Sequence, residues 1–265
     1  MAPPSPPVPR APLSVVVITR NAADQLADCL ASVAFADEVV VLDSGSSDGT
    51  VDLARRLGAR VETASDWPGF GPQKQRAVGL ARHDWVLCLD ADERLSPQLQ
   101  AAIPAVLAGT PAHAVWRMAR ANRFLGRFLR HGEGYPDWSV RLFRRDRARW
   151  SDDAVHEKVV TTEPVGTLAG DLLHESAESL EAYLAKQNRY TTLQAEALAA
   201  RGASATWVHV ALSPLVRFVK FYLLRLGFLD GLPGLVHIGI GCFNSMIKYA
   251  KLRALAQEQA ARRRA

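Results

Sequence analysis

Trp85-Val86-Leu87-Cys88-Leu89-Asp90-Ala91-Asp92-Glu93 is the stretch on which the fold turns. Five apolar residues in a row are too few for a helix. They stop abruptly at three carboxylates within four positions. That pattern predicts a strand buried on both faces, ending at the rim of a parallel sheet. Asp90 and Asp92 straddle one small residue just beyond the strand. From there both can converge on a hard cation such as Mg²⁺ or Mn²⁺ that in turn holds a pair of phosphates. An acidic turn or a helix cap is the other reading of the same residues.

Working back toward the N-terminus, the same alternation recurs. Leu13–Thr19 and Glu38–Leu42 read as buried strands, and 60–62 as a short one. Helical spacing separates them over 22–34, from Thr50 to Leu57, and over 73–81. Strand and helix in alternation imply βαβ units and a parallel sheet, hence an α/β fold. Ligands of such sheets sit beyond the carboxyl ends of the strands. The polar clusters Thr19-Arg20-Asn21, Asp43 to Asp48, and Asp90 to Glu93 all fall there.

Asp43 follows its strand directly and can accept from a base N–H or a ribose hydroxyl, with Ser44, Gly45 and Ser46 as a pliable loop around it. Asp48 reads instead as the cap of the helix starting near Thr50. The turn 67–76 (WPGFGPQKQR) leads into a helix whose N-terminus, with Lys74 and Arg76, could reach a diphosphate. A structural turn with exposed charges fits those residues as well.

Beyond Asp92 the alternation stops. A helix over 97–107 and strands over 114–120 and 139–144 are followed by helices over 180–200, 207–228 and 235–259, with Gly231-Leu232-Pro233-Gly234 parting the last two. The chain of 265 residues has room for one α/β domain and a helical appendix. The net charge of +5 is unevenly spread: 1–112 carries −4, 113–149 carries +7, 150–200 carries −6 and 201–265 carries +8. Basic blocks attract phosphates on lipid, glycan or nucleic acid. No nucleic-acid motif accompanies the charge, so nucleic acid is not an expected partner. Three scattered cysteines make no disulfide framework or paired-Cys zinc site, so buried free thiols in a reducing compartment are expected. Residues 1–12 are Pro-rich, resemble no signal peptide and read as a disordered lead-in. The longest apolar stretch, Gly231 to Ile247, is interrupted by Pro, Gly, His, Asn and Ser, which favours a surface-lying helix over a spanning one. The apolar block from Phe218 to Leu229 carries Arg217, Lys220 and Arg225, and Lys248, Lys251, Arg253 and Arg262–Arg264 follow; together they fit a membrane contact or a packed helical subdomain.

The segments SVVVITRN (14–21), EVVVLDSGSSDGT (38–50) and WVLCLDADE (85–93) resemble the family 2 glycosyltransferases of GT-A fold. More narrowly, DWPGFGPQKQRA (66–77), YPDWSVRLFRR (135–145), VHEKV (155–159), KQNRYTT (186–192) and FYLLRLGFLDG (221–231) resemble the lipopolysaccharide core β-glucosyltransferases that add glucose to inner-core heptose. The likeness runs from Leu13 to Lys251. It implies a GT-A catalytic domain over 13–178, with a helical C-terminal region over 179–265. It also implies inverting transfer of a hexose from a nucleotide sugar, UDP-glucose above all, to an anionic glycolipid. The enzyme would then lie in the cytoplasm, peripheral on the inner face of the membrane.

Carried over residue by residue, the resemblance makes Thr19, Arg20 and Asn21 the lining of the nucleotide pocket and Asp43 the contact to base or ribose. Asp90 and Asp92 become the metal and diphosphate pair, and His174 a further metal ligand. Inversion needs one general base on the acceptor hydroxyl. Asp137, Asp152, Asp153, His156 and Glu157 are candidates, with Glu157 preferred and Asp137 next. Arg141 and Arg144 head a set of arginines suited to acceptor phosphates. The same chemistry on a polyprenyl phosphate, another glycan or a protein is the neighbouring expectation. A binding partner without catalysis is the one from another class.

Overall fold

The computed structural model describes residues 10–153, 157–176 and 179–262. They fall into two compact units, one formed by 10–121 with 137–175 and the other by 122–136 with 176–262.

The first unit is built on a mixed sheet. The strands of the chain are β1 (Leu13–Thr19), β2 (Glu38–Asp43), β3 (Arg60–Thr63), β4 (Trp85–Asp90), β5 (Glu93–Leu95), β6 (Val115–Phe124), β7 (Arg127–Phe128), β8 (Asp137–Arg144), β9 (Ala148–Trp150), β10 (Val159–Thr161) and β11 (Val165–His174). The order is β3-β2-β1-β4-β8-β6-β11-β5, while β9 and β10 pair separately and β7 folds back on the tip of β6 beyond the unit boundary. β3, β2, β1 and β4 are parallel, and β8 joins β4 antiparallel. This is the GT-A-like arrangement that the resemblance implies.

Helices α1 (Ala23–Ala31), α2 (Thr50–Arg56), α3 (Phe70–Leu80) and α4 (Pro97–Leu107) cover the sheet. Side chains alternate along β1, so its two faces serve two cores. Leu13, Val15 and Val17 pack with Leu26, Leu30, Leu99 and Ile103. Val16 and Ile18 pack with Ala77, Val78, Phe143 and Trp150. β1 and most of β4 are buried on both faces, as their uninterrupted apolar runs require. Truncating a side chain such as Leu87, fully buried here, would cost about 2–5 kcal/mol.

The second unit holds α5 (Leu180–Ala200), α6 (Trp207–Phe218), a π-helical turn Val219–Leu224, a 3-10 turn Gly227–Asp230 and α7 (Gly231–Arg262). Ser179 caps α5 through the Ala182 N–H. Lys251 of α7 donates to Asn188, Thr191 and Thr192 of α5, so much of the KQNRYTT segment holds two helices together. Asp230, buried, accepts from the backbone N–H groups of Arg130 and His131.

Four expectations change. The predicted helix over 207–228 breaks at Phe218 into π and 3-10 turns, and Leu226 sits at φ +54° where the chain reverses. The last helix starts at Gly231, because Pro233 is accepted within a first turn that lacks intrahelical donors. The lead-in is not structureless to its end: Arg10 forms a bridge with Ala108 and a 2.7 Å ion pair with Asp37. Among the described residues, the helical stretch long and apolar enough to cross a membrane, by length and composition alone, is Trp207–Leu224 rather than Gly231 to Ile247. Cys29 and Cys88 are buried free thiols and Cys242 is half-buried. Burial pushes the Cys88 thiol up to about 12, which makes it inert.

Candidate active site

Parallel register brings the polar strand ends to one edge. Thr19 lies opposite Asp43, and Ile18 opposite Asp90. At that edge opens a cavity of about 650 Å³. Thr19, Arg20 and Asn21 line it from the end of β1, Trp67, Phe70 and Lys74 from the turn into α3, and Asp90, Ala91, Asp92, Glu157 and His174 from the rest.

The floor of the cavity is a row of alternating charges. The Lys74 ammonium donates to Asp90 Oδ2 at 3.0 Å, lies 2.9 Å from its Oδ1, and donates to Glu157 Oε1 at 2.7 Å. It lies 4.8 Å from the centre of the Trp150 ring, whose face favours a cation. Arg141 donates twice to Glu93, at 3.0 and 2.8 Å, and once to Asp90 Oδ2 at 3.2 Å. Arg120 closes the row, 3.7 Å from Glu93 and 2.6 Å from Asp137. Burial alone would raise the Asp90 carboxyl, but Lys74 and Arg141 outweigh it and hold the group below the ordinary carboxylate range. Arg141 is likewise held in its charged form: burial works against that charge, and Glu93 and Asp90 overcome it. Removing one member of such a row leaves its partner buried and uncompensated, which is costly.

The meeting of Lys74 with Glu157 depends on a close backbone approach. Gly71, in the first turn of α3, lies against Ser151, Asp153 and Glu157, and its N–H donates to the Asp153 carbonyl at 3.2 Å. A Cβ at Gly71 would stand 2.1 Å from the Ser151 carbonyl oxygen and 2.7 Å from that of Asp153. Only glycine permits this packing without moving the segment that carries Glu157.

Asp92 faces a different partner. His174, the last residue of β11, places Nε2 3.1 Å from Asp92 Oδ2. The Glu175 N–H donates to the Asp92 carbonyl at 2.8 Å, which fixes that loop to the strand end. A carboxylate oxygen and an imidazole nitrogen at the cavity wall are donors that Mg²⁺ or Mn²⁺ accepts. The expected set of Asp90, Asp92 and His174 does not form a cluster of three among the described residues. Asp90 is engaged by two cations, so the pair Asp92–His174 is the part of the set that fits an ion.

Asp43 departs further from its expected role. It is 1% exposed and is not among the cavity's lining residues. Its oxygens accept from Thr19 Oγ1 at 3.0 Å, from the Gly45 and Ser46 N–H groups at 2.9 and 2.8 Å, and from Ser46 Oγ. It locks the loop after β2. Ser44 is buried, its hydroxyl accepting from Gln73, and Gly45 supplies the φ of +88° that the turn needs. Asp48 is not the cap itself, since Gly49 holds that position, but it accepts from the Thr50 N–H and hydroxyl and so ties down the start of α2. Asn21 stays at the cavity and anchors the same loop through Ser47.

The remaining expectations divide. Arg76 pairs with Asp66 at 2.8 Å and does not line the cavity. Asp137 is held by Arg120 and also stands outside the lining. Asp152 pairs with Arg149, and Asp153 contributes a backbone carbonyl. His156 lies outside the described residues. Arg141 is 6% exposed and presents no donor at the surface for an acceptor phosphate, because Glu93 and Asp90 take its guanidinium. Arg144 pairs with Asp146 and sits opposite Trp85, at the far end of β4 from Asp90. Five residue steps of strand separate those ends, about 16 Å.

Sequence reasoning missed the aromatic wall. Trp67 and Phe70, packed edge to face at 5.0 Å, are both exposed at the cavity. Large aromatics in a Gly- and Pro-rich turn were the available signal. Glu93 and Trp150, which hold the charge row from beneath, were missed too.

Comparison with known proteins gives a consistent result. Residues 14–162 match the model of "Glycosyl transferase family 2". The lipopolysaccharide core biosynthesis glycosyltransferase LpsC of Rhizobium meliloti (strain 1021) is 29% identical over 92% of this chain and 93% of its own. An uncharacterized glycosyltransferase of Rickettsia bellii (strain RML369-C) is 30% identical over 92% of this chain and 87% of its own. Among solved structures, S. aureus TarS 1–349 in complex with UDP-GlcNAc superposes with a TM-score of 0.48 at 14% identity, covering 94% of this chain and 92% of that one. With the matched segment spanning β1 through β10 and so including Asp90, Asp92, Lys74 and Glu157, the chain belongs to glycosyl transferase family 2.

Proposed function

We propose that this glycosyltransferase moves a hexose, with inversion, from a nucleotide sugar to an anionic glycolipid. UDP-glucose is the donor and an inner-core heptose of lipopolysaccharide the acceptor. The observation that carries the reading is Lys74 lying between Asp90 and Glu157 on a cavity that Asp92 and His174 also line.

Each residue has work of a definite kind. Arg20, exposed at the cavity and without a protein partner among the described residues, supplies positive charge for a diphosphate. Trp67 and Phe70 offer an apolar face to a ring. Glu157 accepts the proton of the attacking hydroxyl, and Lys74 holds its carboxylate in place until the acceptor arrives. Asp92 and His174 would hold Mg²⁺ or Mn²⁺, which when bound neutralises charge on the diphosphate leaving group. The name of LpsC supports lipopolysaccharide core as the acceptor class.

The test is nucleotide release from UDP-, GDP- and ADP-sugars with purified rough-type lipopolysaccharide, with and without chelator. Release of UDP from UDP-glucose, lost in EDTA and restored by Mn²⁺, is the expected result. Full turnover in excess chelator would remove the metal from the scheme. Transfer to polyprenyl phosphate alone would replace the acceptor.

A further inference from the structure

The second unit carries a surface that sugar transfer does not explain. Helix α6 is amphipathic, with His209, Ser213 and Arg217 along one side and apolar residues over the rest, yet none of its residues is buried. Trp207 is 69% exposed, Leu224 74% and Leu232 70%, with Leu215, Val216 and Phe243 also open to solvent. The apolar face of such a helix normally packs on a core, and one this long left open marks a docking surface. No Lys, Arg, Asp or Glu occurs over 202–216 or over 231–247.

The charges around the face decide what covers it. Between 201 and 257 there are seven Lys and Arg but one acid, Asp230, which is buried. Lys220 and Arg225 stand exposed beside the apolar residues, Lys220 with its ammonium 5.0 Å from the Phe221 ring centre. Arg217 is neutralised by Glu133 and Lys251 is engaged by α5, but a second copy would still bring the remaining cations against their own kind. Acidic lipid headgroups would neutralise them while the acyl region takes the leucines.

The geometry also opposes a spanning helix. Trp207–Leu224 has 18 residues, roughly 27 Å of helix against a hydrocarbon core of about 30 Å. It includes Lys220 and an Arg217 ion-paired with Glu133, and its ladder turns π-helical at Val219 before the reversal at Leu226. We infer that α6, the π and 3-10 turns and the start of α7 form an in-plane membrane-binding face that selects bilayers rich in anionic lipid. This goes beyond the sugar chemistry and does not depend on it.

The experiment is flotation of the full chain with vesicles of phosphatidylcholine, with and without phosphatidylglycerol, at low and high salt. Binding to the anionic vesicles, weakened by salt, is expected. Leu224→Ser and Leu232→Ser, both at open positions, should each weaken binding by about tenfold or more, with the circular-dichroism melt unchanged. Lys220→Glu should lose about tenfold on anionic vesicles and little on neutral ones. Failure to float on either vesicle overturns the inference. So does an apolar-variant series that floats like the parent, which would place binding elsewhere. Self-association abolished by Leu224→Ser, without flotation, would make a second copy the occupant. Retention through a carbonate wash would make the segment a spanning one.

Discussion

Asp43 and Asp90 look alike in sequence and do different things. Each ends a buried strand, β2 or β4, and those strands flank β1 on either side. Asp43 collects its donors from its own loop and from Thr19, and disappears into the protein. Asp90 takes its partners from α3 and β8, distant in sequence, and remains on the cavity. A carboxylate at a strand end therefore marks the edge where ligands sit, and what the following loop does decides whether it can meet one. Where the loop turns back with small residues, its N–H groups reach the carboxylate first. Where it leaves as Ala91-Asp92-Glu93, the carboxylate is left for side chains.

The comparison breaks most readily at Asp92. Asp92→Ala should lower kcat by about 10³-fold, since several kcal/mol of charge stabilisation corresponds to about 1.4 kcal/mol per decade. The melting temperature should hardly move, because Asp92 is partly exposed. Turnover within tenfold of the parent would show that the acidic pair after β4 is as structural as the loop after β2. Glu157→Gln should cost about a hundredfold or more in kcat with nucleotide-sugar affinity retained by calorimetry. The same signature in Asp137→Asn instead would move the base to β8.

Gly71→Ala sharpens the point that distant elements make the site. The added Cβ must displace the Ser151 carbonyl, and it also presses on Glu157, whose Cβ would stand 3.2 Å away. An effect of about tenfold or more on kcat is expected, consistent with small misplacement of a catalytic group, with the fold intact by circular dichroism. Asp43→Asn should act in the opposite sense. It turns an acceptor against N–H donors in a buried turn, costing about 1–3 kcal/mol of stability in urea and changing kcat little. A stable Asp43→Asn protein that has lost nucleotide affinity would restore Asp43 to the ligand.

The sheet was legible because β1, β2 and β4 are local runs of apolar residues whose burial on both faces leaves no other reading. The strand carrying His174 was not. Gly166 and Gly170 interrupt the apolar alternation of β11, and Gly170 is there because a Cβ would meet the Leu99 backbone N at 2.6 Å as α4 packs on it. The need for that glycine lies in a tertiary contact, which no window of sequence contains. The arginines of 113–149 misled for the same reason. Their spacing suggested a phosphate surface, whereas Arg120 and Arg141 find acids that other strands bring to them.

Arg144 is the smallest and cleanest case. It shares β8 with Arg141, three residues away, and the sequence treats the two alike. In the sheet, Arg141 meets the charge row, while Arg144 pairs with Trp85 in register and with Asp146 in solvent. Asp146 raises the affinity of Arg144 for its proton, but an exposed pair of this kind contributes about 0–1 kcal/mol. Arg144→Ala should therefore leave kcat, KM for acceptor and urea midpoint within twofold or measurement scatter, while Arg141→Ala strips Glu93 of its main partner and lowers both stability and turnover. A selective rise in acceptor KM for Arg144→Ala would mean that a long acceptor runs under the sheet to the far end of β4, and the cavity would then be only one end of the binding surface.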